Sequence, residues 1–199
     1  MTIEDFLVDF DKLDEFDIIK KYLYGGRVWY FENYLNLSGK DYEQAVDDFN
    51  YAVSSAFDVD YKGIQIIGSG KIGFSLSPYK YLAKFDSNTE KLSDLDIAII
   101  SDSLFTECWV LMRKYSSLKG FGFYKQFSSG IYRGFIPSVA LDEVPDLRKN
   151  FSKKSDSAVK ELQYSVGVRH QINYRVYRSW KDFEDYHYLG LKKIKRQMQ

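Results

Sequence analysis

Two short motifs contain the residue types best suited to chemistry. Gly68-Ser69-Gly70 ends an apolar run that begins at Ile64, and Ser93-Asp94-Leu95-Asp96 opens a second apolar run. Because alternate residues of a strand face the same side, Asp94 and Asp96 should project together and form a divalent-metal site. A Gly-Ser-Gly turn exposes backbone N–H groups and one hydroxyl, which suit a triphosphate. The two motifs together predict metal-assisted nucleotidyl transfer.

Each residue of these motifs has an expected role. Two metals about 4 Å apart can activate an attacking hydroxyl and stabilise the leaving pyrophosphate, and Asp94 and Asp96 would hold Mg²⁺ or Mn²⁺ as the catalytic carboxylates. Ser69, with the backbone of Gly68 and Gly70, would hold the β and γ phosphates. Lys71 would help to neutralise their charge. Asp-Leu-Asp alone is equally typical of a solvated acid pair at a strand edge, so the upstream turn decides the interpretation.

These residues resemble the signature of the DNA polymerase β-like nucleotidyltransferase superfamily, which is an apolar strand, Gly-Ser or Gly-Gly, and a later apolar-flanked Asp-x-Asp. The resemblance extends from Ile64 to Trp109. Within it, residues 68–78, 93–96 and 104–105 are similar to small bacterial nucleotidyltransferase-like proteins, some of them in antiphage operons. The resemblance implies an α+β fold, a nucleoside triphosphate substrate and an effector protein encoded in the same operon. One departure is the insert at 71–92, which is longer than in minimal members.

A second departure concerns the third metal ligand. Superfamily enzymes usually add a third carboxylate from a neighbouring strand, and the matching strand here, 171–178, presents Asn173 instead. An amide oxygen can ligate a metal, but it contributes no charge and cannot act as a general base. Asp142 or Glu143 is the alternative source of a third acid, although their Pro-flanked segment is more typical of a surface loop.

Two function classes therefore stay open. The first is an enzyme that transfers a nucleoside monophosphate to a hydroxyl of a small molecule, an oligonucleotide or a protein Tyr or Ser, including this chain's own Tyr186 or Tyr188. The second is an inactive nucleotide- or nucleic-acid-binding relative that acts as an antitoxin or regulatory subunit. Sequence alone does not choose between them.

Other patterns give weaker indications. Residues 68–73 also satisfy G-x-G-x-x-G, but the Ser75, Ser77 and Pro78 that follow do not favour the helix that a dinucleotide-binding fold needs. His170 and His187 lack metal-ligand spacing, so each is expected at the surface or in a hydrogen bond. Cations near the C-terminus are expected either to bind phosphates or to form a solvated face: Arg169, Arg175, Arg178, Lys181 and 192–196.

Composition limits the remaining classes. Lys plus Arg and Asp plus Glu each total 28, so no global positive field indicates a nucleic-acid binder. No basic leader follows Met1, and no apolar run approaches the roughly 20 residues that span a bilayer. The expectation is a cytoplasmic protein without direct membrane insertion. The single Cys108 excludes an intramolecular disulfide and is expected to be a buried thiol.

Hydrophobic periodicity predicts one α+β domain over 1–199, with N-terminal helices at 1–60 and a C-terminal helix at 181–199. The resemblance implies that 61–180 is a nucleotidyltransferase core. A short mixed sheet should carry the two acids, with helices on one face. The predicted strands are 64–67, 95–100 and 171–178. The predicted helices are 2–24 (ending at Gly25-Gly26), 41–57, 104–117 (ending at Gly120 and Gly122), 156–164 and 182–199.

Overall fold

The computed structural model describes residues 2–77, 80–88, 91–114 and 124–198. A mixed four-stranded sheet has the order β1-β2-β4-β3. In this sheet β2 and β4 run parallel, whereas β1 and β3 lie antiparallel to their neighbours. Their bounds are β1 Ile64–Ile67, β2 Leu95–Ile100, β3 Phe135–Ile136 and β4 Ile172–Tyr177. The three predicted strands and the α+β class are confirmed, and the two-residue β3 was not predicted.

Helices make up most of the rest of the described chain. Two π-helical turns, Ile19–Tyr24 and Tyr30–Tyr34, and a 3₁₀ turn, Tyr61–Gly63, add to the α-helices. The α-helices are α1 Ile3–Lys12, α2 Glu15–Ile18, α3 Gly39–Phe57, α4 Gly68–Ile72, α5 Asp102–Lys114, α6 Tyr124–Tyr132, α7 Ser138–Glu143, α8 Pro145–Ser165 and α9 Trp180–Met198.

The N-terminal segment is two helices, so the prediction of one continuous helix to Gly25 is wrong. Its start is as expected, because the Thr2 hydroxyl accepts from the Asp5 N–H and the Asp5 carboxylate accepts from the Thr2 N–H. The chain leaves α1 at Leu13, and Asp14 then caps α2 by accepting a hydrogen bond from the Asp17 N–H at 2.8 Å. Asp competes well for such caps, which explains the break.

Helices cover both faces of the sheet, so the expectation of one covered face is wrong. One face contributes side chains such as Ile66, Ile97 and Val176 to the main core, which includes residues of α3, α5 and α8. On the other face, Ala98 and Tyr177 cluster with Phe183 of α9. The predicted C-terminal helix is therefore the second layer of the fold, and the two acids lie on the side that it covers.

Helix ends differ from the predictions where apolar and polar residues do not alternate with a clear helical period. The predicted helix 156–164 is part of the longer α8, which Pro145 begins at a position where its missing N–H costs nothing. The segment of Asp142 and Glu143, expected as a loop, belongs to α7. The predicted end of α5 at Ser117, with Gly120 and Gly122, and the last residue of α9, Gln199, lie outside the described residues.

Two further expectations can be compared with the structure. Cys108 is buried, and burial raises the pKa of its thiol to about 12, so it is an inert core side chain. None of the helices in the described ranges combines the length and apolar composition needed to cross a bilayer. The division of the chain at 60 and 180 stays a prediction.

Candidate functional site

The two acids of the Asp-Leu-Asp motif lie at the start of β2, as predicted. Leu95 and Ile97 are fully buried in the main core, so Asp96 between them faces the other side of the sheet. Asp94 directly precedes the strand and is half-buried. The Leu95 N–H donates to the Gln171 carbonyl at 2.8 Å, which fixes the start of β2 against the start of β4.

Asn173 lies beside Asp96, as its strand alternation predicted. The two residues are direct partners in the parallel pairing of β2 and β4. The Asn173 amide interacts with the Asp96 carboxylate and favours its ionised form. Burial raises the pKa of Asp96 and repulsion from Asp94 adds to the rise, while Arg175 and Asn173 partly oppose it. A buried carboxylate with a raised pKa is one that a bound cation would stabilise in its ionised form.

The Gly-Ser-Gly segment, which forms the first turn of α4, packs directly on Asp96. β1 ends at Ile67, which pairs with Asp96 across the antiparallel ladder. Gly68 follows with φ +62°, and a Cβ there would lie 3.0 Å from the Asp96 Oδ2. A Cβ on Gly70 would lie only 2.5 Å from the Leu95 Cδ1. Glycine is therefore favoured at Gly68 by its positive φ and its proximity to Asp96, and at Gly70 by packing against Leu95.

A cavity of about 490 Å³ opens beside the turn and the acid. Gly68, Ser69 and Asp96 line it, so it brings together one residue of the acid pair and two of the turn. Asp94, Gly70, Lys71 and Asn173 are outside its lining. The other lining residues come largely from α9, the N-terminal segment and residues 75–77, and they include Tyr22, Arg133, Arg175, Tyr186, His187 and Lys193.

Lys71 does not line the cavity. Its side chain is buried, and the ammonium donates to the Gly26 carbonyl at 3.2 Å. Burial lowers the pKa of Lys71 to about 8. In this structure Lys71 anchors α4 to the segment after Tyr24, and its expected role in neutralising phosphate charge finds no support in its position.

A buried hydrogen-bonded network connects the starts of the two site strands. The His170 Nε2 lies 2.8 Å from the Asp86 Oδ2, and its Nδ1 lies 3.0 Å from the Tyr30 hydroxyl. The Ser93 N–H donates to the Asp86 Oδ1 at 2.7 Å, and the Asp86 N–H donates to the Ser93 hydroxyl at 2.9 Å. The long insert is thereby attached next to Asp94. No sequence pattern indicated a role for Asp86 or Tyr30.

Sequence reasoning also missed Arg133 and His187 as cavity residues. Arg133 sits between Gly130 and Gly134, in a stretch where the sequence pattern is weak. Burial and the nearby Arg175 lower the pKa of His187 to about 3, so its imidazole is neutral. Of the predicted C-terminal cations, Arg175 and Lys193 line the cavity, whereas Arg178 and Lys181 form ion pairs on the surface of α9.

The donor atoms suit a hard divalent cation in part. Asp94 and Asp96 supply carboxylate oxygens and Asn173 can supply an amide oxygen, which are ligand types that Mg²⁺ and Mn²⁺ accept. Within the described ranges, no three His, Cys, Asp or Glu side chains group closely enough to hold a metal. Asp142 and Glu143 are exposed on α7 and do not line the cavity. Two carboxylates and an amide therefore form the whole candidate set.

The strand directions exclude the dinucleotide-binding alternative. That fold needs two parallel strands around the glycine-rich turn, whereas β1 and β2 are antiparallel. The chain matches no family model, no curated protein and no solved structure. Its function has to be argued from the geometry of the turn, the acids and the cavity.

Proposed function

We propose that this protein is a metal-dependent nucleotidyltransferase that moves a nucleoside monophosphate from a nucleoside triphosphate to a hydroxyl. One observation carries the proposal, namely the approach of Gly68 to the Asp96 carboxylate. Gly68, Ser69 and Gly70 form the first turn of α4, whose N–H groups have no partners within the helix. Such N–H groups beside a carboxylate pair suit a ligand that combines phosphate with a cation. The cavity beside them is large enough for a nucleotide.

The roles follow from the positions of the residues. Ser69 and the backbone of Gly68 would bind the phosphates of the triphosphate from the end of β1. Asp94 and Asp96 would hold Mg²⁺ or Mn²⁺, with the Asn173 oxygen as a neutral third ligand. The ion would supply Lewis-acid stabilisation of the charge that develops on the phosphates. The superfamily resemblance extends this proposal to bacterial antiphage defence, with an effector protein from the same operon as partner.

The acceptor hydroxyl belongs to a small molecule, an oligonucleotide or a protein. Tyr186 is a cavity residue, which keeps self-modification among the candidates. Tyr188 is not among the lining residues and instead stacks on Phe16 with ring centroids 4.8 Å apart. Of the two tyrosines named from the sequence, Tyr186 is therefore the stronger candidate.

The second candidate function is nucleotide binding without turnover, as in an antitoxin or regulatory subunit. It is favoured by the amide at Asn173, because two carboxylates bind a divalent cation more weakly than three and the amide cannot accept a proton. The same cavity and turn would serve this function unchanged.

The deciding experiment is incubation with each ribo- and deoxyribonucleoside triphosphate labelled at the α phosphate, with Mg²⁺ or Mn²⁺, followed by separation of free products from labelled protein. We expect the label to be transferred to an acceptor. Asp96→Asn should abolish this transfer, whereas the control Asp102→Asn, which makes the same change at the surface, should retain it. Binding without turnover would support the second candidate. Turnover that survives Asp96→Asn would remove the proposed site.

A further inference from the structure

Three cationic side chains from different elements line the cavity. Arg133 follows α6, Arg175 lies on β4 and Lys193 lies on α9 at the mouth. Within the described residues, none of the three forms an ion pair with a carboxylate. Among the described residues that line the cavity, Asp96 is the only acidic one. The cavity therefore carries an excess of positive charge that the described chain does not compensate.

The two guanidinium groups converge on the same pair of aromatic rings. The Cζ of Arg133 and that of Arg175 lie 5.1 and 4.7 Å from the centroid of the Tyr186 ring. Both also lie near the Phe135 ring, at 5.7 and 5.5 Å. Contact with the ring faces offsets part of the cost of bringing two cations together. Both forked donors therefore lie beside the same two rings, and guanidinium groups suit phosphate oxygens.

Arg175 also has unused hydrogen-bonding capacity. Its Nε is buried and has no hydrogen-bond partner among the described residues. A terminal guanidinium nitrogen of Arg175 donates to the Tyr177 hydroxyl, and that bond is long at 3.4 Å. The Nε2 of the neutral His187 is likewise buried without a partner. A buried polar atom without a partner costs free energy that a ligand in the cavity can recover.

We propose that Arg133, Arg175 and Lys193 form a phosphate-binding subsite that works without a divalent cation. Its residues are separate from the Gly68 turn, which is the phosphate cradle of the proposed function. The proposal that phosphate binds here is argued from the three cations alone. The proposal that the phosphate is part of a nucleotide rests on the proposed function. The bound phosphate belongs either to the triphosphate donor or to a phosphorylated acceptor, such as a nucleotide or an oligonucleotide end.

The test is calorimetric titration of the full chain with inorganic tripolyphosphate in EDTA. We expect binding that weakens steeply with added salt, since exposed cations are screened. Lys193→Gln and Arg133→Gln should each weaken binding about tenfold, the equivalent of one charge-assisted hydrogen bond. Lys192→Gln, the neighbouring change on α9 outside the cavity lining, should leave the affinity within about twofold. Circular dichroism would confirm that each variant is folded.

Competition identifies the source of the phosphate. Displacement of tripolyphosphate by ATP but not by AMP would assign the subsite to the donor, and displacement by AMP would assign it to a phosphorylated acceptor. No binding to folded protein in EDTA, or equal weakening by Lys192→Gln and Lys193→Gln, would overturn the proposal. Asp96→Asn should keep or strengthen tripolyphosphate binding while it removes transfer, so failure of the subsite and failure of the proposed function give different results.

Discussion

Asp96 and Asn173 are direct partners on adjacent parallel strands, so the amide of Asn173 lies next to the carboxylate of Asp96. The pairing places a neutral group beside a buried acid whose pKa is raised. A carboxylate at position 173 in place of the amide would repel Asp96 unless a cation lay between the two groups. Residue 173 therefore controls how strongly the site depends on a divalent ion.

Asn173→Asp should strengthen divalent-cation binding and make the fold depend on it. The third charge increases the attraction for a cation, and without the cation it adds repulsion to Asp94 and Asp96. We expect Mn²⁺ affinity to rise at least tenfold by calorimetry. The melting temperature should fall in EDTA and recover when Mn²⁺ is added.

The control for this change is Gln171→Glu, which adds the same charge at an exposed residue just before β4. It should leave Mn²⁺ affinity unchanged. If Asn173→Asp binds Mn²⁺ no better than the wild type, residue 173 is not a metal ligand and the site holds at most the two acids of β2.

Lys71→Met should stabilise the protein at neutral pH. Burial lowers the pKa of Lys71 from 10.5 to about 8, so the folded chain carries an ammonium at a cost of up to about 1.4 kcal/mol per pKa unit. Loss of the hydrogen bond to Gly26 offsets part of the gain. We expect a net increase of about 1 to 3 kcal/mol in the free energy of unfolding, measured with urea at pH 7.

The stability advantage of Lys71→Met over the wild type should depend on pH. Below pH 8 both the folded and the unfolded wild type keep the Lys71 proton, so the cost is present in full. Between pH 8 and 10.5 the folded chain loses the proton first, and the wild type gains stability relative to the variant. The advantage of Lys71→Met should shrink over that range, while exposed Lys62→Met should show no such trend. A loss of triphosphate affinity in Lys71→Met would restore its expected role at the phosphates.

The strands that carry the site could be predicted because their signals are local. An apolar run defines β2, alternation defines β4, and Gly68 and Ser69 follow β1 directly in the sequence. The position of Asn173 beside Asp96 followed from strand alternation and the resemblance together. Predicting the strands needs only the residues within each strand. Predicting the Asp96–Asn173 contact needs, in addition, one strand pairing that the family resemblance supplies.

The cavity could not be predicted because its walls come from distant parts of the chain. Arg133 and His187 meet β4 only through the packing of β3 and α9, and no sequence period marks either residue. The strand β3 is two residues long, between Gly134 and Pro137, too short for alternation to show. The break before α2 depends on Asp14 acting as an N-cap. The free energies of a capped new helix and of a continuous helix are close, so the sequence does not decide between them.

His170→Phe should destabilise the fold by about 2 to 4 kcal/mol, because it leaves the Tyr30 hydroxyl without its partner and removes an Asp86 hydrogen bond from the core. Tyr30→Phe should cost about 1 kcal/mol. The double variant should cost less than the sum, because removal of both groups leaves no unpaired hydroxyl. Urea unfolding measures all three.

Tyr34→Phe is the control for this network. The Tyr34 ring also packs against His170, with centroids 4.6 Å apart, but its side chain is exposed. Its loss should cost under about 0.5 kcal/mol. Additive effects of His170→Phe and Tyr30→Phe would show that the two side chains stabilise the fold independently, and the network would not act as a unit.

Gly68→Ala tests the contact between the turn and the acid. Gly68 has φ +62°, so an alanine there should cost about 1 to 2 kcal/mol through backbone strain alone. Its Cβ would also lie 3.0 Å from the Asp96 Oδ2 and push the carboxylate away. Gly39→Ala is a matched control, because Gly39 has φ +53° and nothing lies within 4 Å of its added Cβ. The two variants should lose similar stability in urea, and only Gly68→Ala should lose Mn²⁺ and triphosphate affinity. Equal affinities in both variants would mean that the turn and Asp96 do not bind one ligand together, which would remove the observation that carries the proposed function.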